Sequence, residues 1–228
     1  MKLLITGADR PLGHLVSRHL KEGFDLRLTG YGSVFQGDTG QEYSQADLRV
    51  PEAVEPLLLD IEAVLHLAVF DPSQPSGQCS EQEELELASR GTYVLLQKAR
   101  EAGVDRLILA SRISIMDDYP ENYVVDESWQ PRPRPVAESL APYLAEITCR
   151  EFAREGGIRA VCLRFGNLDI PQGTPHSDAL QALAGALNMR FEPNGYRWQV
   201  FHVTANDRFP LRGGSQLLGP KRKEAGNA

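Results

Sequence analysis

The chain has 228 residues, 42% hydrophobic and 24% charged, a composition that excludes collagen-like, low-complexity and disordered classes. A formal net charge of -7 has the wrong sign for a protein whose main task is to hold duplex nucleic acid, so no such partner is expected. Cys79, Cys149 and Cys162 show neither paired nor metal-ligand spacing, and no apolar run is long enough for a membrane span. A cytoplasmic protein is expected. The apolar start Met1–Ile5 is too short for a signal peptide and runs into glycine and charge. Lys221, Arg222 and Lys223 read as a solvated tail.

In chain order, Lys2–Thr6 reads as a strand. Leu12, Leu15, Val16 and Leu20 recur at helical spacing, and Gly23 marks a stop. Asp25–Thr29 is the next strand, and 30–46 is turn-rich. Pro51–Leu59 reads as a helix weakened by Pro56. Ala63–Val69 is strand-like. Leu85, Ala88, Thr92, Leu95, Leu96 and Ala99 mark one face of a long helix ending at Gly103. Arg106–Ser111 is a strand, Tyr143–Arg154 a helix, and Arg159–Phe165 a strand. Leu180, Leu183, Ala184 and Leu187 mark a helix, and Trp198–Val203 is the last strand. Asp71–Ser80 and Asp117–Pro142 lack periodicity, and irregular stretches of that length are often functional.

Strands that are nearly continuous in apolar residues and alternate with helices argue for an α/β fold, a doubly wound parallel sheet covered on both faces. Ligands of such sheets sit beyond the carboxyl ends of the strands, at the point where strand order reverses. The loops after residues 6, 29, 68, 111 and 165 are therefore the functional candidates. One domain over 1–228 is expected, with 1–165 as the binding core and 166–228 as a reduced substrate-side segment and tail.

The turn Thr6-Gly7-Ala8-Asp9-Arg10-Pro11-Leu12-Gly13 joins the first strand to the first helix. Glycines there let backbone N–H groups approach a pyrophosphate at the helix N-terminus. The turn resembles the T-G-x-x-G-x-x-G loop of the extended short-chain dehydrogenases/reductases, the NAD-dependent epimerase/dehydratase family. Asp47-Leu48, His66-Leu67-Ala68, Gly91-Thr92, Leu109-Ala110-Ser111 and Leu163-Arg164-Phe165-Gly166-Asn167 resemble further family motifs in the same order. Phe201-His202-Val203, Ala205-Asn206-Asp207 and Leu217-Leu218-Gly219 resemble the compact tail of uronate-dehydrogenase-like members.

The resemblance implies a Rossmann-type sheet and an NAD or NADP site at Gly7, Arg10, Leu12, Gly13, Asp47, Leu48, Ala68 and Tyr143. It implies a sugar-type ligand near Arg112, Asn167 and Trp129, and dimerisation through the helices Leu85–Ala102 and Tyr143–Arg154.

The departures from the pattern bear on chemistry. The family's middle glycine is Arg10, which either crowds the dinucleotide or donates to a phosphate. The second strand ends Leu28-Thr29-Gly30-Tyr31, without the acid that holds the ribose 2′-hydroxyl. No Lys or Arg follows in that loop to take a 2′-phosphate, a task left to Arg10. Family chemistry uses a Ser or Thr, a Tyr, and a Lys four residues on, whose charge favours the phenolate. Here Arg112 stands at the hydroxyl position and Ser114 two further on, Tyr143 remains, and Ile147 replaces lysine. Tyr143 reads equally as a packed helix residue.

The acidic stretch Asp117, Asp118, Glu121, Asp126 and Glu127 reads as a solvated loop and His66 as structural, with a general base as the alternative for each. Trp129, followed by Pro131, Pro133 and Pro135, reads as a pocket wall or a packed surface aromatic. No G-x-S-x-G elbow or Walker loop is present. His14 with His19, and His176 with Asp178, are too few for a metal site.

The reading that follows is an NAD(P)-binding protein with a degraded Ser-Tyr-Lys relay, acting as sensor, regulator or weak enzyme. Two alternatives stand beside it. One is an atypical NAD(P)-dependent oxidoreductase or epimerase on a sugar, sugar acid or nucleotide-sugar, with Arg112 gripping a carboxylate. The other is a scaffold that binds no dinucleotide, with Arg10 folded across the strand ends.

Overall fold

The computed structural model describes residues 1–33, 35–37, 40–70, 80–192, 195–212 and 217. The segment 71–79 with Cys79, the Leu218-Gly219 pair and the basic residues 221–223 lie outside the described residues.

Seven strands form one sheet: β1 (Lys2–Thr6), β2 (Asp25–Gly30), β3 (Glu42–Gln45), β4 (Ala63–His66), β5 (Arg106–Arg112), β6 (Arg159–Phe165) and β7 (Trp198–Val203). Their order is β3-β2-β1-β4-β5-β6-β7, and each neighbouring pair is parallel. This is the doubly wound, Rossmann-type arrangement, and its order reverses between β1 and β4.

Among the described residues six α-helices cover it: α1 (Pro11–Leu20), α2 (Pro51–Val54), α3 (Glu81–Glu86), α4 (Thr92–Glu101), α5 (Ala137–Glu155) and α6 (His176–Asn188). Side chains alternate across each strand. Leu3, Ile5, Ile108 and Leu163 pack with Leu12, Val16 and Leu183 of α1 and α6 on one face. Leu4, Val64, Leu107 and Cys162 pack with Leu95, Ala145 and Phe152 of α4 and α5 on the other. No helix among the described residues is long and apolar enough to cross a membrane.

The structure corrects several boundaries. The turn-rich 30–46 contains β3, an edge strand that the alternation of its short sequence does not advertise. Strand β4 stops at His66, because Leu67–Phe70 turns over Gly7 with a Phe70 N–H to Leu67 carbonyl bond of 3.1 Å. Pro51–Leu59 divides into α2 and a 3₁₀ turn, Glu55–Leu58, which holds Pro56 near its start where no N–H is needed. The long helix expected over 85–102 is α3 and α4 joined through a π turn at Leu87–Gly91. Helix α5 begins at Ala137 rather than Tyr143. Pro142 lies inside it and is tolerated because Ala141, Pro142 and Ala145 are buried against the core.

Candidate functional site

At the switch point the loops after β1 and β4 touch. Gly7 has φ +68°, and a Cβ there would lie 2.7 Å from Ala68 Cα. A Cβ on Gly13 would lie 2.2 Å from the Gly7 carbonyl oxygen. Both positions thus keep bare backbone at the mouth of the sheet. Helix α1 opens there with Pro11 in its first turn, and its N-cap, Arg10, makes no side-chain cap bond. First-turn N–H groups so placed form an anion site. Leu12 is buried in the core beneath.

Two narrow openings meet at Arg10, each of about 20 Å³. One is walled by Gly7, Asp9, Gly30, Tyr31, Leu48 and Ala68. The other is walled by Ala68, Glu84, Arg112, Glu138 and Pro142. Arg10 is only 9% exposed and lines both.

Leu48 is buried and faces the first opening, while its neighbour Asp47 is held by Arg49, with Nε to Oδ1 at 2.9 Å and Nη2 to Oδ2 at 2.8 Å. These bonds hold the Asp47 carboxyl below its ordinary range against the opposing effect of burial. Arg49 also reaches Glu86 at 3.0 Å.

His66 closes the floor between the two loops. Its Nδ1 meets Thr6 Oγ1 at 2.7 Å and its Nε2 meets Thr92 Oγ1 at 3.0 Å. Burial pushes its pKa down to about 4, so the ring is neutral and structural near pH 7. A folded pKa below the unfolded value gives stability that is full above about pH 6.5 and is lost as pH falls. Between pH 7 and pH 5 the wild type should therefore lose roughly 2 kcal/mol through this residue. Urea unfolding of wild type and His66→Gln at the two pH values checks this; equal pH slopes would refute it.

Beyond β5 and β6 opens a cavity of about 400 Å³. Arg112, Ser114 and Asn167, expected here from sequence, are brought together in its wall. Arg112 donates from Nη2 to Asn167 Oδ1 at 3.1 Å, and its Nη1 lies 3.3 Å from Glu138 Oε1 without hydrogen-bond geometry. Arg112 Nη1 and Ser114 Oγ are both buried with no hydrogen-bond partner. Arg134 and Asp117 line the same cavity, and burial raises the Asp117 carboxyl. Nothing in the sequence singled out Arg134, which sits between prolines in a segment without periodicity.

Tyr143 and Trp129 are not among the residues that line the two openings or the cavity. Both pack on a cluster of Ile113, Met116, Tyr119 and Phe209, and Trp129 meets the Tyr119 ring edge-on at 4.9 Å. The face that α5 turns to the openings carries Glu138, Ala141 and Pro142. One turn further on, Glu146 is buried beneath the site. It accepts from Ser111 Oγ at 2.5 Å and from Arg164 Nε and Nη2 at 2.9 and 2.7 Å. This carboxylate escaped the sequence reading because its partners come from two strands remote in the chain.

The acidic stretch is not uniformly solvated. Asp126 is 6% exposed, accepts from the Ser128 N–H at 2.9 Å and pairs with Arg212 at 2.8 Å. Glu127 accepts from the His202 and Arg212 N–H groups. These two acids tie the loop to β7 and the segment after it.

The model of the NAD dependent epimerase/dehydratase family matches residues 3–191. A uronate dehydrogenase from Pseudomonas syringae pv. tomato is 28% identical over 169 residues, which is 73% of this chain and 59% of that protein. The match thus spans less than two thirds of that relative's length. Among solved structures, glucuronic acid dehydrogenase from Chromohalobacter salexigens has a TM-score of 0.76 at 21% identity, covering 95% of this chain and 82% of that one. A mutant uronate dehydrogenase from Agrobacterium tumefaciens, complexed with NAD, has a TM-score of 0.75 at 22% identity, covering 92% and 80%. A UDP-glucose 4-epimerase from Thermotoga maritima has a TM-score of 0.72 at 20% identity, covering 90% and 77%. These likenesses show the fold.

Proposed function

The chain belongs to the NAD-dependent epimerase/dehydratase family, and on that premise we propose that it binds NAD or NADP together with a small sugar acid and passes protons poorly, acting as a sensor, regulator or weak enzyme. The observation that carries this reading is the cavity of about 400 Å³ beside the dinucleotide crevice, where Ser114 Oγ is buried without a hydrogen-bond partner and Arg112 Nη1, ion-paired with Glu138 at 3.3 Å, makes no hydrogen bond. A buried donor without a partner is costly, and a ligand carboxylate or hydroxyl would satisfy both groups.

The crevice residues fit a dinucleotide. Gly7 and Gly13 leave room for a pyrophosphate against bare backbone, because a Cβ at either would strike backbone atoms. Leu48 and Ala68 offer apolar walls for an adenine and a nicotinamide ring. Arg10, which lines both openings, would donate to phosphate. The bound cofactor would supply hydride transfer, while the protein binds and orients. What the chain lacks is the cation beside the phenol: Ile147 stands four residues after Tyr143. Assistance to proton transfer is worth about 10²–10⁴-fold, so its loss leaves a slow reaction rather than none.

Calorimetric titration with NAD⁺, NADH, NADP⁺ and NADPH should show micromolar binding of at least one. Absence of binding by a folded sample would overturn the proposal and favour the scaffold alternative. With the bound cofactor, glucuronate oxidation should stay well below about 1 s⁻¹, the lower end of ordinary turnover; faster turnover would refute the degraded relay.

Glucuronate itself should bind the cofactor-loaded protein, and Arg112→Ala should weaken it by about 10- to 100-fold, the worth of a charged hydrogen bond. Unchanged affinity in a folded Arg112→Ala variant would remove Arg112 from the site.

A further inference from the structure

Strand β2 ends in Gly30, and the space where a side chain would begin is already filled. A Cβ on Gly30 would lie 2.1 Å from Asp9 Oδ1, 2.3 Å from its Cγ and 2.8 Å from its Oδ2. The Asp9 carboxylate, reaching across from the loop after β1, thus stands over the end of β2. No residue larger than glycine fits at position 30 while Asp9 holds this place.

Among the described residues, one oxygen of the carboxylate is held by a hydrogen bond. Oδ2 accepts the Gly32 N–H at 2.8 Å. The other side of the same residue is braced by Tyr43, whose hydroxyl donates to the Gly32 carbonyl at 2.6 Å. Tyr43 keeps its proton well into the alkaline range: its pKa is pushed up to about 12 by burial, with the Asp9 charge adding to it. Oδ1 is buried and has no hydrogen-bond partner. Asp9 is one of the residues that wall the opening with Gly7, Gly30, Tyr31 and Leu48, and it is not among those lining the cavity of Arg112 and Ser114.

A buried, unpartnered carboxylate oxygen calls for a donor. In an opening with bare backbone at one end and apolar Leu48 at the other, the donor that fits is a ribose diol between a pyrophosphate and a base. We propose that Asp9 holds the adenosine ribose hydroxyls, the task an acid at the end of the second strand performs in other nucleotide-binding sheets. The acid has moved to the neighbouring loop, and Gly30 is the residue that makes room for it. The chain therefore selects a nucleotide with a free 2′-hydroxyl, because a 2′-phosphate would meet the Asp9 charge. This inference rests on the dinucleotide reading above. It runs against assigning Arg10, which lines the same opening, to a 2′-phosphate.

The test is calorimetric titration of ADP-ribose and of 2′-phospho-ADP-ribose into wild type, Asp9→Asn and Asp9→Ala. Asparagine retains an acceptor for the Gly32 N–H and removes the charge. Wild type should bind ADP-ribose at least about tenfold more tightly than its 2′-phosphate, as loss of a charged hydrogen bond implies. Both variants should bring the ratio close to one, mainly by weakening ADP-ribose. A wild-type preference for the 2′-phosphate, or an unchanged ratio in folded Asp9→Asn, would overturn the assignment and leave dinucleotide binding standing. No binding of either ligand or of any full dinucleotide by folded wild type would instead overturn the dinucleotide reading itself.

Discussion

Arg164→Ala should lower folding stability by about 3–5 kcal/mol, the cost of stranding one partner of a buried ion pair. The side chains of Arg164 and Glu146 are 4% and 5% exposed. Two parallel bonds join the guanidinium to the carboxylate, and Arg164 Nη1 also contacts Met116 sulfur at 3.4 Å and His202 Nε2 at 3.3 Å. Removing the arginine takes away both guanidinium bonds and leaves Glu146 the Ser111 hydroxyl at 2.5 Å.

Replacing the pair together, Arg164→Met with Glu146→Leu, should recover most of the loss, because neither charge is then left unpaired. Urea unfolding of wild type, both single variants and the double variant measures the coupling. A loss below about 1 kcal/mol for Arg164→Ala, or strict additivity in the double variant, would refute the account. The pair joins α5 to β6, and Ser111 joins the same carboxylate to β5, one turn of α5 from Pro142 in the wall of the second opening.

Gly13→Ala should cost about 3 kcal/mol or more, the upper range for inserting a methyl group into packed structure. Its Cβ would stand 2.2 Å from the Gly7 carbonyl oxygen, 2.6 Å from Ala8 Cα and 2.8 Å from Ala8 C. All three are backbone atoms, so no side-chain rotation relieves the contact. The first turn of α1 must lift away from the loop, which would also disturb the pyrophosphate site proposed there. For a domain of this size the loss corresponds to a fall in Tm of roughly 6–12 °C. Gly23→Ala is the control, since nothing lies within 4 Å of a Cβ there, and it should change stability by less than about 0.5 kcal/mol. A Gly13→Ala variant within 2 °C of wild type would refute the close packing.

The sequence was most informative where the chemistry is local. Apolar runs in Leu3–Ile5, Ala63–Leu65, Leu107–Ala110 and Ala160–Leu163 state a buried parallel sheet without help from the rest of the chain, because a strand covered on both faces needs no alternation. The loop Thr6–Gly13 is equally legible, since a strand-to-helix turn with two such glycines meets a backbone demand within eight residues. One local signal was passed over: Ser80 and Glu83 form a capping box at the start of α3, with the Glu83 side chain accepting the Ser80 N–H at 2.7 Å. The missed start of α5 is of another kind. Pro142 argues against a helix locally, and burial of the residues around it decides otherwise.

Electrostatic roles were set by tertiary structure alone. From the sequence, Gly30 reads as a lost acid, and only the sheet shows the Asp9 carboxylate standing over it from a different loop. Glu146 reads as one more charge on an amphipathic helix until Ser111 and Arg164 arrive from β5 and β6. Asp126 reads as solvated until Arg212 folds back upon it. Backbone conformation and burial pattern depend on neighbours a few residues away, so sequence periodicity carries them. The role of a charge depends on which remote group stands within about 3 Å, and that distance exists only once the strands have found their order.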